Sequence, residues 1–236
     1  MRTGGGVSKL SGSNSIVTCP LACPAVPMVD WKGGQARGFI DWITRPMETG
    51  EIGFTPSGIA RGDELHVLVG TQGEVIKIDK EGIPLGPVVS PFPSPVVDST
   101  IVGNRWCGIW MDRELRQARM AAIPLNEVWE DGPTREQLRN STHSINGDFL
   151  KPAKSIWNRT LDSEPMKIGV SGENIVFATV TGLYMIDSDA NEVWRGMLPR
   201  WPEISKVFAF DQIVGIFEIP EGISIWSKAG GVSVLD

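Results

Sequence analysis

The chain has 236 residues, with 22 Lys and Arg against 28 Asp and Glu, for a formal net charge of -6. That length sustains one large domain with a core of its own. The acidic balance excludes phosphate-backbone binding as the main task, because such binding draws its affinity from clustered Lys and Arg that release counterions.

Composition points to β structure: 27 Gly, 17 Pro and 9 Trp against a single Tyr describe many turns joining short, heavily packed strands. In chain order, residues 1–14 are Gly/Ser-rich without an apolar core, so they read as a flexible arm and resemble neither a signal peptide nor an anchor. The apolar stretch Ile16 to Val29 is interrupted by Pro20, Pro24 and Pro27 and falls short of the ~20 residues a membrane span needs. The expectation is a soluble, cytoplasmic chain. Cys19, Cys23 and Cys107 are too few for a disulfide framework and lack the companion ligands of a zinc site, so they read as buried thiols, with no metal and no cofactor expected.

A recurring unit organises most of the chain. Residues 65–85, LHVLVGTQGEVIKIDKEGIPL, alternate apolar runs with a Gly turn and an Asp-led turn, and residues 175–194, IVFATVTGLYMIDSDANEVW, repeat the arrangement. A third copy spans 213–234, and weaker ones span 101–115 and 16–39. Gly73, Gly108, Gly182 and Gly222 occupy the Gly slot, at intervals of 35, 74 and 40 residues, a period near 40 with one doubled interval. The doubled interval, 125–162, is expected to be a loop insertion or a degenerate blade, with a short helical turn over Pro133 to Arg139 and an Asn146-Gly147 turn. The Asp residues of the repeat read as turn-formers, since a carboxylate accepts from amides two residues on.

Units of three or four short strands cannot bury their own faces, and stacking them does. The predicted fold is all-β, a β-propeller of five or six small antiparallel blades over 15–236, with an antiparallel β-sandwich as the alternative that turn spacing leaves open. The final strand is expected either to close the ring by pairing with Ser15 to Thr18 or to belong to a larger propeller. The piece IVFATVTGLYMIDSDANEVW resembles the blade repeat of the PQQ-like (quinoprotein-like) propeller superfamily: an apolar strand, a Gly turn, a Leu-Tyr-x-Ile-Asp strand, and a closing Trp. In that family the closing Trp docks neighbouring blades, and Trp194 holds the matching position. The resemblance implies the fold and carries over no PQQ or metal ligands.

No phosphate-cradling loop or nucleophile elbow occurs, and neither His66 nor His143 has a catalytic motif beside it. The function expected is a non-catalytic scaffold that binds a protein or peptide through its loop face, without nucleic acid or membrane. Trp201 and Arg200, in LPRWPEIS, read as a loop anchor of the kind found at protein interfaces. Trp110 and Asp112 add an aromatic beside a carboxylate. The alternative is a carbohydrate-binding or glycoside-hydrolysing propeller, for which Trp106, Trp110 and the inner carboxylates Asp41, Asp98, Asp112, Glu114 and Asp211 are the candidates.

Overall fold

The computed structural model describes residues 8–9, 17–18, 54–80, 82–141, 151–199 and 212–235. Two short strands, β1 (Ser8–Lys9) and β2 (Val17–Thr18), pair with each other. Val17 and Thr18 thus pair with β1; Ser15 and Ile16, the rest of the stretch named for ring closure, lie outside the described residues.

Four antiparallel sheets follow, each a run of consecutive strands joined by hairpins. Blade 1 holds β3 (Pro56–Arg61), β4 (His66–Gly70) and β5 (Val75–Ile78). Blade 2 holds β6 (Val96–Val102), β7 (Arg105–Asp112), β8 (Gln117–Pro124) and β9 (Trp157–Thr160). Blade 3 holds β10 (Pro165–Ser171), β11 (Asn174–Thr179), β12 (Leu183–Ile186) and β13 (Glu192–Gly196). Blade 4 holds β14 (Ile213–Ile219), β15 (Gly222–Ser227) and β16 (Val232–Leu235).

The cores decide between propeller and sandwich. Each main core cluster is shared by two successive blades: one joins Val67, Val69 and Val75 of blade 1 to Trp106, Trp110 and Ile123 of blade 2. The next joins Cys107, Ile109 and Met120 of blade 2 to Ile168, Ile175 and Phe177 of blade 3. The third joins Val176, Ala178 and Leu183 of blade 3 to Ile213, Ile216 and Ile225 of blade 4. The first strands, β3, β6, β10 and β14, lie against one another in that order. Sheets stacked in sequence about their first strands make a propeller, and a sandwich would share one core between two sheets. The chain is therefore all-β and propeller-like, with four blades among the described residues.

Period two along a strand serves this stacking directly. On β7, Trp106 and Trp110 point to blade 1 while Cys107, Ile109 and Met111 point to blade 3. On β11, Ile175 and Phe177 face blade 2, and Val176 and Ala178 face blade 4. Middle strands buried on both sides read as unbroken apolar runs.

Glycine has three different jobs. Gly73 (φ 98°) turns between the second and third strands of blade 1, where a side chain would strike the Ser94 carbonyl. Gly222 (φ 131°) turns one strand earlier, between β14 and β15. Gly108 makes no turn: it sits inside β7, where a Cβ would come within 2.8 Å of the Trp110 ring and 2.9 Å of the Trp106 ring. The Gly slots of the sequence repeat thus merge three positions. In blade 2 the true second-to-third-strand turn is Arg113–Arg116, with Arg116 itself at φ 53°.

Residues 125–156 lead from β8 to β9 of the same sheet, so this stretch is an insertion within blade 2 and, among the described residues, forms no hairpin of its own; Asn146 and Gly147 lie outside the described residues. It carries helix α1 (Arg135–Ser141), capped reciprocally: the Gln137 amide donates to Thr134 Oγ1 (3.2 Å) and the Thr134 amide donates to Gln137 Oε1 (2.8 Å). Leu138, fully buried, docks the helix on the core between blades 1 and 2. In blade 1 the place of a fourth strand is taken by residues 84–89, which meet β5 at isolated bridges, Ile78 with Pro84 and Val75 with Val89. Pro84 and Pro87 lack the amides a regular ladder needs.

Gly73→Ala is expected to cost about 1–3 kcal/mol, from left-handed strain and the clash with Ser94. Gly86→Ala, where a Cβ meets nothing within 4 Å, should be close to neutral. Urea unfolding of the two variants beside the parent checks both.

Candidate functional site

Strand alternation gives the blades two ends. One, the connection end, carries the turns between second and third strands and the links from blade to blade. The other, the hairpin end, carries the first-to-second-strand turns and the links from third to fourth strands.

Of the four residues predicted from sequence to bind a partner, Arg200 and Trp201 lie outside the described residues. The structure places the other two in the body of blade 2. Trp110 is fully buried, packed against Phe92 (ring centroids 5.9 Å) and edge-on to Trp106 (5.6 Å). Its ring reaches no solvent, so its place is in the packing between blades 1 and 2 and not on a contact surface. Trp106 and Trp110 each bury an indole N–H without a partner, whereas Trp129 donates to the Pro124 carbonyl at 2.7 Å.

Asp112, 1% exposed, ends β7 at the connection end. Its Oδ2 accepts from the Ser94 hydroxyl (2.6 Å) and from Arg135 Nε (3.1 Å), and its Oδ1 accepts from the Leu115 amide (2.8 Å). Burial alone would raise its pKa, but these donors and the Arg135 charge outweigh it and hold the carboxyl below its ordinary value. Asp112 is thereby a lock: it closes the Arg113–Arg116 turn and ties the link from blade 1, through Ser94, to the insertion, through Arg135. Glu114 adds ion pairs to Arg135 (3.3 Å) and Arg139.

The same device recurs. In blade 3, Asp162 on the incoming link accepts from Tyr184 and Thr181 and faces Arg195 at 3.7 Å. In blade 4, Ser227 Oγ accepts from the Gly231 amide at 2.8 Å. At the hairpin end, Asp187 accepts from the amides of Asp189 and Asn191 (both 2.9 Å), and Asp79 from that of Ile83 (2.7 Å). These Asp residues form turns, as their spacing in the repeat predicts.

Of the carboxylates named for hydrolysis, the described ones are similarly occupied. Asp98, on the first strand of blade 2, faces Lys167 Nζ (3.4 Å) and accepts from the Ile168 amide (3.1 Å), both on the first strand of blade 3. Burial pushes its pKa up, with Lys167 and the amides opposing. Asp98 staples two blades together. Asp41 and Asp211 lie outside the described residues. Cys107 is buried between blades 2 and 3, and burial pushes its thiol up to about 12. Among the described residues no group of three or more His, Cys, Asp and Glu is placed to hold a metal, and no helix is long and apolar enough to cross a membrane.

Sequence reasoning missed the exposed apolar groups. At the hairpin end and outer rim of blades 1 and 2 stand Val128 (71% exposed), Ile83 (59%), Leu85 and Ile156. They are held by firm backbone: the Leu85 amide donates to the Lys77 carbonyl (2.8 Å), and Lys77 Nζ donates to the carbonyls of Leu125 (2.9 Å) and Glu127 (2.6 Å). The Ile156 amide donates to the Ala122 carbonyl (2.8 Å), and Lys154 meets Glu130 at 3.4 Å. The sequence signal is an exposed aliphatic residue close to charges, as Val128 in Asn126-Glu-Val-Trp-Glu130. Trp194, expected to dock neighbouring blades, shares a face with Met185, which packs beside the blade 3–4 core, yet it remains 42% exposed.

No protein-family model matches this chain, and no curated protein does. Among solved structures, BamB from Moraxella catarrhalis aligns with 12% identity and a TM-score of 0.43 over 74% of this chain and 44% of that one. BBS1N in complex with ARL6DN gives 12% identity and a TM-score of 0.48 over 76% of this chain and 47% of the other. The computationally designed Ika4 protein gives 11% and 0.46, over 75% of this chain and 88% of its own. The chain thus spans less than half the length of the BamB chain it matches.

Asp112→Asn is expected to cost about 1–3 kcal/mol at neutral pH, the range for a buried hydrogen-bonding partner. Because the folded pKa is depressed, the contribution is present above the unfolded carboxyl pKa and is lost as pH falls through the folded one. Urea midpoints of parent and variant should therefore converge in acid. Lys167→Met should destabilise by about 1–3 kcal/mol because the half-buried Asp98 loses its cation, and adding Asp98→Asn should recover part of that loss; a double-mutant cycle measures both.

Proposed function

We propose that this protein is a non-catalytic propeller scaffold that binds a protein partner through the loop surface of blades 1 and 2. The observation that carries this reading is the group of exposed apolar side chains Ile83, Leu85, Val128 and Ile156, mounted on hydrogen-bonded loops. Exposed apolar groups interspersed with charges, here Lys77, Glu127, Glu130 and Lys154, supply what a recognition surface needs, apolar contact beside polar contacts. A rigid scaffold that presents them costs little ordering entropy on binding.

The occupied carboxylates favour this reading over hydrolysis. Asp98, Asp112 and Glu114 each face a cation, and Asp112 is walled in by Ser94 and Arg135, where a glycosidase needs carboxyls open to the sugar. The Leu-Tyr-x-Ile-Asp strand of β12, followed by Trp194, supports placing these blades with the quinoprotein-like propellers. Arg200 and Trp201, in the stretch of chain between blades 3 and 4, remain a second proposed contact.

A photo-crosslinking residue in place of Leu85 should capture a discrete protein from native extract. Adding Val128→Asp and Ile83→Asp to that chain should abolish the capture while the circular dichroism and melting temperature stay unchanged. Equal capture by the charged variant would overturn the proposal.

A further inference from the structure

The outer side of blade 4 has no described neighbour. Cross-strand pairing puts Trp226 beside Val232, and Ser224 between Phe217 and Val234, all on one face. The opposite face, with Ile216, Ile223 and Ile225, packs on blade 3. On the free face Phe217 is 42% exposed and Val232 and Val234 are each 49% exposed, with Trp226 standing T-shaped to Phe217 at 5.9 Å. Blade 1 is different, since Leu68, Ile76 and Ile78 on its outward face are at most 1% exposed.

Among the described residues the edge of blade 4 is also unprotected. The outermost strands of blades 2 and 3 carry charges that discourage pairing: Arg159 on β9, and Glu192 and Arg195 on β13. The β5 edge of blade 1 carries Lys77 and is met by residues 84–89. By contrast β16 reads Val-Ser-Val-Leu, without charge, proline or bulge, and among the described residues it is the outermost strand of its blade, the third where blades 2 and 3 have a fourth.

We propose that β16 pairs antiparallel with β16 of a second copy about a twofold axis, making one six-stranded sheet across a homodimer. Charge selects this occupant and this direction. Exposed Lys228 sits in the turn at the Val232 end of β16, and exposed Glu221 sits in the turn beside the Leu235 end. Only the antiparallel arrangement brings each Lys228 toward the partner copy's glutamate at that turn, whereas a parallel one sets like charges together. Period two fixes the register: Ser233 opposite its own copy places Val232 against Val234 and fuses the two apolar faces, and a slip of one residue would set them on opposite sides. An isologous contact of this kind closes on itself and does not propagate. The surface is separate from the loop patch of blades 1 and 2, so either proposal can fail alone.

Analytical ultracentrifugation of the full chain over a concentration series tests it. The parent should sediment as a dimer. Val234→Lys should give a monomer with unchanged circular dichroism. Lys228→Glu should weaken the dimer at least tenfold at low salt, and Lys228→Glu with Glu221→Lys should restore it. Should Val234→Lys fail to fold, Ser233→Cys in a Cys19→Ser, Cys23→Ser background should form an intermolecular disulfide on mild oxidation. A parent that stays monomeric at high micromolar concentration overturns the proposal, as does a dimer indifferent to Val234→Lys or a Ser233→Cys chain that forms no cross-link.

Discussion

Burial of one sheet face against the next is the interaction on which the rest of the molecule depends. A blade here is a single layer, and a single layer leaves half its apolar side chains in water. Stacking resolves this. The full burial of Trp106, Trp110, Ile109 and Phe177 between successive blades contributes on the order of 2–3 kcal/mol for each large side chain. Close approach of the first strands requires small residues: at Gly169 a Cβ would lie 2.7 Å from the Ile216 carbonyl oxygen.

Polar groups then fix how the stacked sheets sit. Asp98 with Lys167 joins first strands, and Asp112 and Asp162 join incoming links to turns. At the hairpin end, Arg105 reaches the Ser188 carbonyl and Asp189 (3.2 Å), and Trp157 donates to the Ser188 carbonyl at 2.8 Å, so blade 2 is tied to the β12–β13 turn of blade 3. Carboxylates spent in this way hold geometry. The apolar groups of the loops and of the outer sheet face stay exposed.

Much of the fold was legible because middle strands buried on both faces leave unbroken apolar runs, as in Ile175 to Ala178, and because Asp79 and Asp187 close turns through their own side chains. Register within the blade was not legible. A glycine between apolar runs marks a turn at Gly73, yet at Gly108 it makes room for two indoles, and one-dimensional spacing cannot separate the two. The place of residues 125–156 was equally hidden, since the pairing of β9 with β8 across some thirty residues leaves no local signal. At the candidate site, the aromatic-plus-carboxylate pattern of Trp110 and Asp112 pointed to binding, whereas strand alternation turns Trp110 inward and the Ser94 and Arg135 contacts seal Asp112. Val128 and Ile83 carry no motif, and their exposure follows only from the fold.

Methyl-to-methyl nuclear Overhauser effects in a selectively labelled sample test the stacking order most directly. Blades packed in sequence predict cross-peaks between Ile109 and the blade 3 methyls of Ile168 or Ile175, and between Ile213 or Ile216 and Leu183, with none linking the methyls of blade 1 to those of blade 3. Cross-peaks joining blade 1 to blade 3, as in two sheets packed face to face around a common core, would contradict that order.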